Sequence, residues 1–139
     1  MAVINFLNYT VSEMVYKKNE SFVEPVDSQY GYQPQFSYGV SDLIDDNFDV
    51  TLSVELDSEN FPFYFKVEIV GKFTFNQEEV SEKIGTSYTD YKANALAIMF
   101  PYTRSLVSQL TLMSNEFQAL QFPTINVNNF VENNDEETE

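Results

Sequence analysis

Between Phe48 and Leu56 the chain reads FDVTLSVEL, with Phe48, Val50, Leu52, Val54 and Leu56 in one phase and Asp49, Thr51, Ser53 and Glu55 in the other. A period of two puts all five apolar side chains on one face of a strand and the polar ones on the opposite face. After the turn-forming DSEN, the stretch FPFYFKVEIVGKFTF repeats the pattern through Phe61, Phe63, Phe65, Val67 and Ile69. Pro62 stands near its start, and Gly71 marks a candidate bulge. Upstream, FLNYTVSEMVY sets Leu7, Tyr9 and Val11 against Asn8, Thr10 and Ser12, and the phase slips at Glu13-Met14, which predicts a bulge or bend. QFSYGVS places Phe36, Tyr38 and Val40 on one face. A loop rich in turn residues from Lys17 to Pro34 and a polar break from Asp42 to Asn47 separate these runs. Alternating strands joined by polar turns predict an antiparallel sheet with one covered face.

The second half changes period. Ala95, Met99, Tyr102, Leu106, Leu110, Met113 and Phe117 recur at intervals of three and four, which is one stripe of a helix. Pro101 falls inside that run. Either a helix starts there, where the missing N–H does no harm, or one long helix passes through with a kink. The stripe keeps its phase across Pro101, and a helix that began afresh at the proline would have no reason to stay in register with Ala95 and Met99. The pattern therefore favours the long kinked helix. Beyond it, FPTINVNNFVE predicts an extended piece and a short helical turn, and ENNDEETE an acidic tail. These readings place one domain over residues 1–131 and a mobile tail over 132–139, in an α+β chain.

Composition narrows the chemistry. The 139 residues contain neither Cys nor His, so there is no thiolate, no imidazole base and no soft-metal site. Elbow, phosphate-loop and dinucleotide motifs are missing, and DLIDDNFD lacks the central glycine and terminal Glu of a calcium loop. No enzyme activity, metal or cofactor is expected. Net charge is −15, which repels phosphate backbones and argues against nucleic acid as a partner. The first residues carry no basic region, and no run approaches the roughly 18 apolar residues that span a bilayer. A cytoplasmic protein without membrane insertion is the expectation.

What remains is an apolar surplus. The chain holds 13 Phe and 9 Tyr, and the loop before Phe36 adds Tyr30 and Tyr32 beside Pro34. One sheet and one helix enclose a limited interior. The surplus then serves oligomerisation, a groove for apolar polypeptide, or both.

Several segments, in order, resemble the SecB protein-export chaperones. KKNESFVEP (Lys17–Pro25) is similar to the family's segment after its first strand. YQPQFSYGV (Tyr32–Val40) resembles W-Q-P-E-V-x-L-x-L, with Tyr32 where Trp is usual. NALAIMFPYTR (Asn94–Arg104) is similar to N-I-L-F-P-Y-A-R, and FPTINVNNF (Phe122–Phe130) to F-P-x-L-N-L-x-P-V-N-F. The resemblance implies a four-stranded antiparallel sheet followed by a long helix that packs between sheets in a dimer of dimers. It implies an ATP-independent holdase that keeps unfolded polypeptides soluble in apolar grooves. The clients would be exported proteins passed to SecA or, in relatives tied to toxin–antitoxin pairs, one antitoxin. The client groove maps to Phe36, Tyr38 and Val40 with Tyr30 and Tyr32. The oligomer interface maps to Met99, Tyr102, Leu106, Leu110, Met113 and Phe117, and a SecA-facing surface to Glu20, Glu24, Lys66 and Glu68.

The sequence departs from that family at three places. Asn19, Val23 and Lys66 stand where the SecA-contacting face has acids, the long helix extends further before FPT, and the second helix is reduced to NNFVENNDEETE. A structural or assembly protein that fills its grooves with its own side chains is the alternative to a chaperone.

Overall fold

The computed structural model describes residues 3–23, 34–59, 61–76, 88–116 and 120. Strands β1 (Ile4–Lys18), β2 (Gln35–Val40), β3 (Asn47–Leu56) and β4 (Phe63–Phe75) form one antiparallel sheet in the order β1-β4-β3-β2. A 3-10 turn, Tyr88–Tyr91, leads into α1 (Lys92–Leu112), which lies over β3, β4 and the start of β1. The alternation predicted for β3 and β4 holds to the residue. Val50, Leu52, Val54, Phe65, Val67, Ile69 and Phe73 are buried beneath the helix, while the intervening polar residues face the other way.

β1 carries two register shifts, between Phe6 and Asn8 and between Val11 and Glu13. The second is the predicted phase slip. The first corrects the expected pattern, because it leaves Leu7 59 % exposed and turns Phe6 onto the core instead. Phe6 then meets Phe73 and Tyr102 at ring distances of 5.4 and 5.6 Å. The polar break resolves into a tight hairpin, in which Ile44 and Asn47 exchange backbone hydrogen bonds of 2.9 Å. Asp45 and Asp46 take φ of 52° and 62° there, the left-handed pair that a two-residue hairpin of this twist demands. Aspartate tolerates that region better than most residues.

Pro101 lies inside one uninterrupted helix. It is exposed, and so is Ala97, whose carbonyl loses its partner, so the carbonyl turns to solvent rather than into the core. The buried row is Ala95, Met99, Thr103, Val107 and Thr111, strictly four apart, with Leu96 beside it. Thr111 satisfies its hydroxyl by donating to the Val107 carbonyl at 2.9 Å and accepting from the Leu120 N–H at 2.8 Å. The helix start is held by Tyr88, whose hydroxyl donates to the Ser41 carbonyl at 2.9 Å and whose ring sits 5.3 Å from Phe48.

Gly71 was expected to be a bulge, and it is not. It pairs in register with Tyr9 and Val50. A Cβ on it would lie 2.8 Å from Met99 Sδ and 3.0 Å from Phe73 Cε2. Any side chain here would have to displace the Met99 thioether and the edge of the Phe73 ring, because the helix comes down onto the strand. Gly71→Ala should therefore cost about 1–3 kcal/mol through overpacking. In a Met99→Ala background, where the opposing side chain is gone, the same change should cost much less. Urea unfolding of the two single variants and the double variant reads this coupling, and simple additivity would contradict it.

Candidate functional site

The helix covers the middle of the sheet and leaves a strip on each side. On the β2 side, Phe36, Tyr38 and Val40 pair with Val54, Leu52 and Val50, so they face the helix side. All three are half-buried, because α1 lies over β3 and β4 rather than over β2. Gln35, Ser37 and Gly39 alternate with them and are exposed. The opposite wall comes from the helix. Phe100 stands 5.5 Å from Phe36 between ring centres, and the Arg104 guanidinium lies 5.6 Å over the Phe100 ring. Lys92 Nζ is 5.9 Å from the Tyr38 ring. The result is an apolar trough formed by the half-exposed parts of Phe36, Tyr38, Val40 and Phe100, with the buried Leu52 and Val54 beneath it and a cation beside a ring toward each end. Phe36, Tyr38 and Val40 are the strand residues that the sequence reading grouped, and Phe100, Arg104 and Lys92, which stand beside them, lie off the predicted helical stripe. Tyr30 and Tyr32, predicted beside this trough, lie outside the described residues.

The predicted interface residues divide. Met99 is fully buried against Gly71 and belongs to the chain's own core, so it is not available to a second copy. Tyr102 is 38 % exposed and packs on Phe6 and on Tyr9, the latter at 4.7 Å. Leu106 and Leu110 follow at four-residue intervals on the side turned to β1 and are half-buried, while Met113 is 79 % exposed. Val11 and Met14 of β1 are also exposed on the sheet's helix side, beside this row. Phe117 lies outside the described residues.

The other face of the sheet is polar and internally paired. Lys66 forms an ion pair with Glu13 at 3.2 Å, and the Ser12 hydroxyl donates to Glu68 at 2.7 Å. The Tyr64 hydroxyl donates to Glu55 at 2.5 Å, with Lys17 lying 5.9 Å over its ring. Glu20 is exposed beyond the end of β1, and Glu24 lies outside the described residues. Asn19 ties this corner together, its side-chain amide donating to the carbonyls of Ser58 and Phe61 at 2.9 and 3.0 Å. Among the described residues there is no group of three or more side chains suited to a metal ion. No described helix is long and apolar enough to cross a membrane.

No protein-family description matches the chain, and no curated protein matches it. Solved structures do. The fold is similar to that of the Mycobacterium tuberculosis SecB-like chaperone Rv1957, solved with a ChAD peptide from the Rv1956 HigA1 antitoxin. The TM-score is 0.67 at 17% identity, covering 88% of this chain and 90% of that one. A Streptococcus agalactiae protein of unknown function matches with a TM-score of 0.52 at 9% identity, over 87% of this chain and 97% of that one. The chain has the SecB-like α+β fold, as the segment resemblance implied.

The Tyr64–Glu55 contact predicts an alkaline signature. The hydrogen bond to Glu55, then burial and the carboxylate's charge, push the Tyr64 hydroxyl from 10.0 up to about 12. Glu13 likewise raises Lys66. A raised pKa stabilises the protonated fold fully below the unfolded value near pH 10, and that contribution is lost as pH rises through about 12. Tyr64→Phe should flatten the loss of stability over this window, read from unfolding midpoints across pH. Parallel declines in the two proteins would show that the contact contributes nothing.

Proposed function

We propose that this protein is a nucleotide-independent chaperone that holds apolar and aromatic segments of unfolded polypeptide in the trough between β2 and α1. The observation that carries the reading is the half-exposed row Phe36, Tyr38 and Val40, which the sheet aligns and the helix leaves partly open. Binding draws on burial of apolar surface at roughly 25 cal/mol per Å². Repeated weak contacts along an extended chain raise affinity without one dominant site. A SecB-like chaperone of the same fold, solved with an antitoxin peptide, supports a peptide occupant. Tyr30 and Tyr32 extend the same surface in this proposal.

Of the two destinations for a client, an antitoxin-type partner is favoured over hand-off to SecA. Glu68 and Lys66 on the outer face are engaged with Ser12 and Glu13, and Lys66 opposes docking of a basic tail. The protein acts in the cytoplasm in this proposal.

Substituting both Phe36 and Tyr38 by Ser should weaken client binding by about tenfold or more, since aromatic hot spots commonly carry over 1 kcal/mol each. Suppression of aggregation of a denatured substrate, without nucleotide, measures it. Full activity in a folded double variant would overturn the assignment, and the single Tyr38→Ser variant keeps the test open if the double one unfolds.

The strip beside β1 is assigned to a second copy of the chain, as part of a dimer of dimers. Tyr102, Leu106, Leu110 and Met113 with Val11 and Met14 form one row of exposed or half-buried apolar side chains among the described residues, the kind of surface that marks a protein contact. Light scattering should give a mass of at least twice 16.1 kDa at micromolar concentration. A monomer would refute this assembly.

A further inference from the structure

Sulfur in this chain is confined to methionine. The 139 residues include 4 Met and no Cys, so thioethers are the sites at which its sulfur can be reversibly oxidised. Met14, Met99 and Met113 lie among the described residues, and the fold treats them differently. Met99 is fully buried, with its Sδ wedged against Gly71. Met14 of β1 is 42 % exposed, and Met113 at the end of α1 is 79 % exposed. Both exposed thioethers stand in the strip beside β1. Met14 pairs with the buried Val67 and so lies on the helix side of the sheet, while Met113 follows Leu106 and Leu110 at helical spacing. The trough on the other side is built from Phe36, Tyr38, Val40 and Phe100, whose side chains carry no sulfur.

We propose that Met14 and Met113 form a reversible oxidation site that switches the strip beside β1 from apolar to polar and so releases subunits from one another. This rests on the assignment of that strip to a second copy, and adds a chemical control to it. The oxidant is hydrogen peroxide. A lone pair of the thioether sulfur attacks one peroxide oxygen, the O–O bond breaks as the S–O bond forms, and the other oxygen leaves as water. Sulfur loses two electrons and the peroxide gains them. The product is a sulfoxide, a polar group on a side chain that was apolar. In open solvent water satisfies it, so a separate subunit tolerates the change. Pressed against the apolar strip of a second copy, it carries the cost of a buried polar group without a partner. In a two-fold contact each modified position occurs twice, which doubles that cost. Assembly shields the same thioethers, so oxidation proceeds through dissociated subunits and then holds them apart by mass action. Met99, which seats the helix on the sheet, stays out of reach while the chain is folded.

Peroxide treatment of the full chain, read by peptide mass mapping and by light scattering over a dilution series, tests this. Scattering from the untreated protein first establishes the assembled mass. Met14 and Met113 should then each gain an oxygen several times faster than Met99, and faster in dilute protein than in concentrated protein. The dissociation constant between subunits should rise by about tenfold or more once both are oxidised. Methionine sulfoxide reductases for the two epimers, supplied with a thiol, should restore the original mass. Met14→Leu with Met113→Leu, a volume-conserving change, should remove the response to peroxide, and each single variant should show about half of it on a logarithmic scale. Three results would overturn the inference and leave the assembly standing. They are oxidation of Met99 ahead of the other two, a mass unchanged after both are oxidised, and a response that persists in the double variant. A monomer before any treatment would remove the switch and the assembly together.

Discussion

The contact between Gly71 and Met99 sets the geometry on which the rest of the molecule depends. A helix can settle onto a sheet only as closely as the side chains between them permit. Here a strand position without a Cβ receives a flexible thioether directly. That close approach fixes α1 over β3 and β4, with the small row Ala95, Thr103 and Thr111 continuing the contact along the helix. The two edge strands then lie partly beyond the helix's reach. Their inward-facing rows, Phe36-Tyr38-Val40 and Val11-Met14, are therefore half-covered instead of buried. Both candidate binding strips are consequences of where the helix sits.

The two strips differ in chemistry. The one beside β1 is aliphatic and aromatic, with Tyr102 anchored on Phe6 and Tyr9. The trough beside β2 adds cations over its rings. The outer face of the sheet is a third surface, where Glu13, Glu55 and Glu68 each have a partner from a neighbouring strand. Among the described residues, Glu13, Glu55 and Glu68 thus lie with their partners on the outside of the sheet, while Lys92 and Arg104 stand over rings beside the helix.

Much of the fold was legible because its signals are local. Period-two alternation fixed the buried faces of β3 and β4, the phase slip marked one β1 bulge, and the unbroken helical phase carried α1 through Pro101. The misreadings share a cause. Leu7 was placed inward because a bulge resets alternation without any sequence mark. Met99 was assigned to an interface because a hydropathy stripe groups the large side chains and gives no sign of the small ones, such as Thr103, that share its buried row. A helix lying close on a sheet instead buries small ones in a strict four-residue row. Gly71 was taken for a bulge because a glycine in a strand has two meanings, and only the opposing element distinguishes them.

By itself the sequence determined the strands, the helix, the polarity of each face and the absence of Cys and His, since each follows from neighbours along the chain. Only the tertiary structure decided which apolar residues are covered and which are left half-open, because that depends on the distance and lateral position of one element over another. Phe36 meets Phe100, and Lys92 meets Tyr38, across more than fifty residues of chain. Contacts that distant in sequence have no period to reveal them, and they exist only once the helix lies on the sheet.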